Sequence, residues 1–141
     1  MSESLRIKAE TQDDLTILSS ALQDAIVRVG EIRLDAKARS LTLRLTRFRR
    51  ETPSAERVLA GVRFDGVLSV AAKGINRGDP DAFAVLIAVK YAAGDTAPEG
   101  DIHLVFAGGG ELKLKTECID VILADVSPPR PTKLRPLHPL D

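Results

Sequence analysis

Residues 41–46 read LTLRLT, the most regular alternation of large apolar and polar side chains in the chain. Because neighbouring side chains of a β-strand point to opposite faces, this stretch predicts a strand with one buried and one wet face. A two-residue period of apolar side chains recurs over most of residues 25–116. The sequence therefore predicts a protein built mainly from antiparallel β-strands.

The residues before this strand predict a short strand at 5–9, a helix at 12–24 and a second strand from residue 25. Thr11 is suited to cap the helix, because its side-chain oxygen can accept from a free backbone N–H of the first turn. The apolar residues of the helix recur on one face, at Leu15, Leu18 and Leu22. In the following strand the apolar parity changes at Gly30, which predicts a β-bulge there.

The residues after it predict further strands at 58–64, 68–72 and 83–93. Asp65 and Gly66 between two alternating runs predict a hairpin, and the glycines at 108–110 predict the turn of a second hairpin. Thr116 is predicted to cap a closing helix, which Pro128 would end. The apolar residues of that helix keep the spacing of one helical face, at Ile119, Ile122, Leu123 and Val126.

This order predicts an α+β domain, with a curved antiparallel sheet or partly open barrel between an N-terminal strand and helix and a C-terminal helix. Its element order resembles the pleckstrin-homology-type barrel, an analogy of fold that carries no function. We assign residues 1–127 to one domain and residues 128–141, with five of the eight prolines, to a proline-rich basic tail. Two interpretations of the tail stay open: it docks on a partner as a polyproline segment, or it lies across its own domain.

The composition argues against several classes of function. The chain has no Trp, one Tyr and four Phe, so aromatic platforms for bases or flat cofactors are few. A single cysteine, Cys118, excludes an intramolecular disulfide, and no apolar run is long enough to cross a bilayer. We therefore expect a cytoplasmic protein and no membrane partner. Cys118 at a helix start would suit a nucleophile, but a lone cysteine is more often a small buried side chain.

Each other candidate for chemistry has a competing structural explanation. The glycines at 108–110 are not followed by the Lys and Ser or Thr of a phosphate loop, which favours a tight turn. His103 and His138 stand apart in the sequence, so they predict no metal site. Asp79 and Asp81 favour turn formation over a pair of catalytic carboxylates. We predict no catalytic, metal or cofactor site and no cofactor, which disfavours an enzyme without excluding one.

The charge is balanced overall, with 20 Lys or Arg and 20 Asp or Glu, but it is unevenly distributed. Residues 25–63 hold ten basic and four acidic side chains, whereas residues 64–127 hold five and ten. Clustered guanidinium groups bind phosphates or carboxylates, so the basic group on two predicted strands and their turn is the candidate site for an anionic partner. It comprises Arg28, Arg33, Lys37, Arg39, Arg44, Arg47, Arg49 and Arg50. The competing interpretation is a solvated face that pairs with the acidic half.

The leading hypothesis is a non-enzymatic binding or interaction module that uses this Arg-rich strand face. Its partner would be an unknown protein or an anionic ligand, and self-association into a homo-oligomer stays open. The alternative is a metabolite-binding protein or an enzyme with a pocket in the barrel, using His103 or Asp79. Weak nucleic-acid binding comes third, because stacking aromatics other than Phe48 are missing from the basic region, and we regard nucleic acid as an unlikely partner.

Five separate motifs occur in order along nearly the whole chain: LQDAIVRVGE at 22–31, GINRGDPDA at 74–82, FAGGG at 106–110, ECI at 117–119 and RPLHP at 135–139. With these motifs the chain resembles an uncharacterised family of alphaproteobacterial proteins, domain of unknown function 2948. The resemblance implies a bacterial cytoplasmic protein and supplies no activity.

Overall fold

The computed structural model of the protein describes residues 4–49, 56–126 and 130–131. The described chain contains one α-helix, and most of its other residues lie in strands. In chain order the elements are β1 (Arg6–Ala9), α1 (Gln12–Leu22), β2 (Ala25–Asp35), β3 (Ser40–Arg49), β4 (Glu56–Asp65), β5 (Val67–Lys73), β6 (Phe83–Ala93), β7 (Gly100–Phe106), β8 (Glu111–Thr116), β9 (Val121–Asp125) and β10 (Arg130–Pro131). A single 3-10 turn, Ala107–Gly109, joins β7 to β8.

The strands form one antiparallel sheet in the order β1-β9-β4-β3-β2-β6-β7-β8-β5, and β10 pairs with β4 beside this path. β5 follows β4 in the chain after one residue, Gly66, although it lies at the other end of the strand order. The sheet must therefore curl until its β5 end returns to β4. The predicted antiparallel sheet is confirmed, and its described hydrogen-bonded strands do not close into a barrel.

The concave face of the curled sheet holds the hydrophobic core, which is mostly aliphatic and includes Phe64 and Phe106. Leu41, Leu43 and Leu45 of β3 are buried, as the alternation at residues 41–46 predicts. The predicted apolar face of α1 is buried with them and packs against β6, β1 and β3. Since each fully buried leucine contributes roughly 1.5–3 kcal/mol, these two elements alone supply a large part of the driving force for folding.

The predicted helix start is confirmed by a capping box at Thr11. The Thr11 hydroxyl oxygen accepts from the Asp14 N–H at 3.1 Å, and the Asp14 carboxylate accepts from the Glu10 N–H at 3.0 Å and the Thr11 N–H at 3.2 Å. The bonds from Glu10 and Thr11 lower the pKa of Asp14 from its ordinary value of 3.8. The carboxylate therefore supports the fold above that ordinary pKa, and its contribution is lost as the pH falls through the lowered value.

The predicted bulge is also present, because the pairing of β2 with β3 shifts register between Val27 and Ile32. At the bulge the Gly30 N–H donates to the Pro80 carbonyl oxygen at 2.8 Å. A Cβ at position 30 would lie 3.0 Å from both the Cβ and the carbonyl oxygen of Pro80. Glycine is therefore required by the close approach of the two backbones.

The hairpin predicted at Asp65 and Gly66 is wrong. β4 pairs with β3 and β9, whereas β5 pairs with β8, so the two strands on either side of Gly66 do not pair with each other. Gly66, with a φ of 68°, forms a one-residue corner in a long bent strand. A glycine adopts this left-handed conformation at little cost. The Asp-Gly pair therefore does mark a change of chain direction, but the change is a bend and not a hairpin turn.

The predicted C-terminal helix is wrong as well. Residues 121–125 form β9, in which Val121 and Leu123 are buried and Ile122 is half-buried. β9 gains backbone partners on both sides, from β1 and from β4, and this tertiary pairing outweighs the helical spacing of its apolar residues. Because the pleckstrin-homology-like order requires the helix, that order is not confirmed.

Only residues 130 and 131 of the proline-rich tail are described, and there the chain pairs as β10 with Arg57 and Glu56 of β4. The rest of the tail, including His138, and the segment 50–55 lie outside the described residues. Across the described ranges, no helix has both the length and the apolar character needed to span a membrane.

Candidate anion-binding groove

Arg47, one of the eight predicted cations, lies inside the fold. Its Nε and Nη2 donate to Oδ1 and Oδ2 of Asp125, both at 2.9 Å, and the two side chains are 0% and 1% exposed. The same carboxylate accepts from the Leu5 N–H at 2.8 Å. This buried ion pair joins β3 to β9 and to the chain before β1, so we assign Arg47 to the stability of the fold.

Arg49 is also buried, and its Nη1 lies 3.1 Å from Oε1 of Glu56 on the neighbouring strand. Arg39 and Lys37 are exposed in the turn between β2 and β3, where Arg39 forms a salt bridge with Glu117. Arg28 is exposed on β2, with its guanidinium carbon 5.3 Å from the ring centre of Phe83. Arg50 lies outside the described residues.

The remaining two, Arg33 and Arg44, line a groove of about 810 Å³ on the outer face of β2, β3, β4, β9 and β1. Arg6 of β1 and Arg63 of β4 line the same groove, and neither belongs to the predicted group. We call this site the basic groove and define it by Arg6, Arg33, Arg44 and Arg63. Two of the eight predicted residues therefore lie in the groove, together with one arginine from β1 and one from β4.

The strand register places these arginines in two rows across the sheet. In one row Arg33 is paired with Thr42, and Thr42 with Arg63. In the other, Arg44 is paired with Gly61, Gly61 with Ala124, and Ala124 with Arg6. With a strand spacing of about 4.8 Å, the arginines within a row lie about 10 Å and 14 Å apart at their backbones.

Small side chains form the floor between the arginines. Thr42, Gly61 and Ala124 separate them within the rows, and a Cβ added at Gly61 would have only the side chain of Val126, at 3.9 Å, within 4 Å. The guanidinium groups therefore stand above a low floor of small side chains.

Two carboxylates moderate the charge of the basic groove. Glu31 lines it, and Oδ1 of Asp65 accepts from Nε of Arg63 at 2.8 Å. The Arg63 and Asp65 side chains are 55% and 28% exposed, and solvated pairs of this kind contribute little to stability. Breaking the Arg63–Asp65 pair therefore costs the fold little stability.

The other candidates for chemistry that the structure describes form no composite site. The glycine turn is confirmed, with Gly108 and Gly109 at positive φ. Oδ1 of Asp79 accepts from the Asp81 N–H at 3.2 Å, which stabilises the predicted turn. Cys118 is half-buried in the bend between β8 and β9. Within residues 4–49 and 56–126, no three His, Cys, Asp or Glu side chains are grouped as a metal ion would need.

His103 has a partner of its own. Its Nδ1 lies 2.6 Å from Oε1 of Glu111 across the β7–β8 hairpin, and this bond lowers the pKa of the Glu111 carboxyl from its usual 4.5. The Glu111 carboxylate therefore stabilises the fold above that value, and this contribution disappears as the pH falls through the lowered pKa. The pair is partly exposed and links two strands on the surface.

The chain was compared with protein families, curated proteins and solved structures. A family model described as "Protein of unknown function (DUF2948)" matches residues 5–138. No curated protein and no solved structure matches the chain.

Proposed function

The chain belongs to the DUF2948 family of proteins of unknown function, and we propose that it is a non-enzymatic interaction module that binds an acidic segment of a partner protein in the basic groove. The observation that carries this proposal is the convergence of four arginines from β1, β2, β3 and β4 on one outer face. Arginine binds carboxylates through a planar fork of donors, so a group of four favours a partner with several carboxylates.

The span of the groove favours an extended partner over a small anion. Arg44 and Arg6 are three strands apart in their row, about 14 Å at their backbones. A single phosphate or carboxylate engages one or two of the guanidinium groups and leaves the others solvated. An extended acidic peptide presents side chains on one side at about 6.6 Å intervals, which allows several of them to reach the arginines together.

The lining also favours a protein over a single-stranded nucleic acid. The described residues of the groove are Thr, Gly, Ala, Leu, Val and Ile beside the charged residues, and none of them is aromatic. Single-stranded nucleic acids are held by aromatic stacking together with phosphate contacts. The described residues of the groove can supply the phosphate contacts but not the stacking. Cys118, the only cysteine, suits the reducing cytoplasm as the compartment of this interaction.

Neutralising two groove arginines is expected to weaken the binding of an acidic peptide about tenfold, because exposed ion pairs each contribute roughly 0.2–1 kcal/mol and act together here. The variant is Arg33→Gln with Arg44→Gln, and the probe is a fluorescein-labelled glutamate-rich peptide followed by anisotropy. The matched control is Lys113→Gln with Lys115→Gln, which removes two exposed cations from β8.

The control should bind the peptide as the wild type does, and added salt should weaken wild-type binding. A single-stranded DNA of equal charge, measured in parallel, should bind more weakly than the peptide. If both double variants lose the same affinity, the attraction is general and the basic groove is not the site. If the DNA binds more tightly, the partner is a nucleic acid and the proposal of an acidic protein is wrong.

A further inference from the structure

A second concave site lies away from the basic groove, where the curled sheet stays open. It is a cleft of about 340 Å³ between β2 on one side and β5 with β8 on the other. Ile32 and Leu34 line it from β2, Val70 and Ala72 from β5, and Leu112 from β8. Its volume falls in the range of about 300–1,000 Å³ that is typical of small-molecule sites.

The cleft exists because two strands lack a neighbour beside it. β2 pairs with β6 only from Ala25 to Arg28, and beyond this point Val29 and Gly30 bond to the loop before β6. Among the described strands, β5 pairs with β8 alone. In the described chain no strand fills the space between them, so their apolar side chains face an opening.

Of the described residues that line the cleft, one is charged, Arg77 in the loop between β5 and β6. Arg77 forms no ion pair within the described part of the chain. Asp79 and Asp81 follow in the same loop, but neither lines the cleft. The cleft therefore combines an apolar wall with one available guanidinium group and no competing carboxylate in its lining.

The apolar wall, as far as the described residues form it, is aliphatic and has no aromatic member. Leu34, 52% exposed, would lose its contact with water if an apolar group entered the cleft, and such burial is favourable. A carboxylate that meets Arg77 would form charge-assisted hydrogen bonds at the same time. A ligand that makes both contacts is an amphiphile with an aliphatic body and one acidic head.

We propose that this cleft binds an aliphatic monocarboxylate, with its chain against Ile32, Leu34, Val70 and Leu112 and its carboxylate on Arg77. This site is separate from the basic groove, and its occupancy does not depend on the proposed function. His103 and Asp79, the residues that sequence analysis considered for a pocket, do not line it.

The test is isothermal titration of the full-length protein with octanoate below its micellar concentration. We expect saturable binding to the wild type and at least tenfold weaker binding to Arg77→Gln, because the variant loses the charge-assisted hydrogen bonds to the carboxylate. Ala72→Leu, which narrows the cleft, should also weaken binding. Lys90→Gln removes an exposed cation from β6, outside the cleft, and should leave binding unchanged.

Octanol and octyltrimethylammonium distinguish recognition of the carboxylate from simple apolar binding, and both should bind more weakly than octanoate. The proposal is overturned if octanoate does not saturate the folded wild type, or if Arg77→Gln and Ala72→Leu bind it unchanged. Circular dichroism of each variant verifies that it is folded.

Discussion

Replacing Asp125 with asparagine is expected to reduce the free energy of unfolding by about 3–5 kcal/mol, because it leaves the buried Arg47 without its opposite charge. The guanidinium group is fully buried and meets both carboxylate oxygens at 2.9 Å. A domain of this kind has a total stability of about 5–15 kcal/mol, so the loss is a large fraction of it. Urea denaturation followed by circular dichroism measures the change.

The matched controls distinguish the effect of the buried ion pair from the effect of changing any charged residue on the same strand. Arg44→Met, on the same strand but exposed, should change stability by less than about 0.5 kcal/mol. Arg47→Met combined with Asp125→Leu removes both charges and should cost less than the two single changes added together. If the free energy of unfolding of Asp125→Asn lies within about 1 kcal/mol of the wild-type value, the ion pair does not stabilise the sheet as described.

Truncating Phe64 to alanine is expected to cost about 3–5 kcal/mol, because it leaves a cavity in the core beside the corner of the bent strand. Phe64 is 0% exposed, and its backbone is paired with Val121 at the start of β9. The loss should therefore loosen the corner at which the sheet curls. Thermal and urea unfolding of the full-length protein both measure this loss of stability.

Phe83→Ala is the control for this change. Phe83 is 65% exposed on β6 and contacts the guanidinium group of Arg28, a contribution of about 0.5–1 kcal/mol at a surface site. Its truncation should cost less than about 1 kcal/mol. Equal losses for the two phenylalanines would contradict the assignment of the core to the concave face.

The local parts of the fold are predictable from the sequence, and the non-local parts are not. The capping residue Thr11, the bulge at Gly30 and the strand at residues 41–46 depend on neighbours within a few residues, and the structure confirms all three. β9 depends on partners more than fifty residues away in the chain. Without them, residues 116–126 fit a helix better than a strand, which explains the wrong prediction.

The candidate site shows the same division. Arg47 and Arg49 continue the parity of the buried residues 41, 43 and 45, so the sequence already contained a signal that they point inward. That signal was obscured because buried arginines are rare and because Asp125, the partner of Arg47, lies 78 residues away. Arg63 has the outward parity of its strand, but only the order of the strands places it beside Arg6 and Arg33.

The role of the basic groove is tested most directly by titrating the glutamate-rich peptide into ¹⁵N-labelled protein and mapping the amide shifts. We expect the largest shifts around Arg6, Arg33, Arg44 and Arg63, on strands that meet only in the folded sheet. Shifts confined to Lys113 and Lys115, or absent at peptide concentrations that saturate the anisotropy signal, would contradict the basic groove as the binding site.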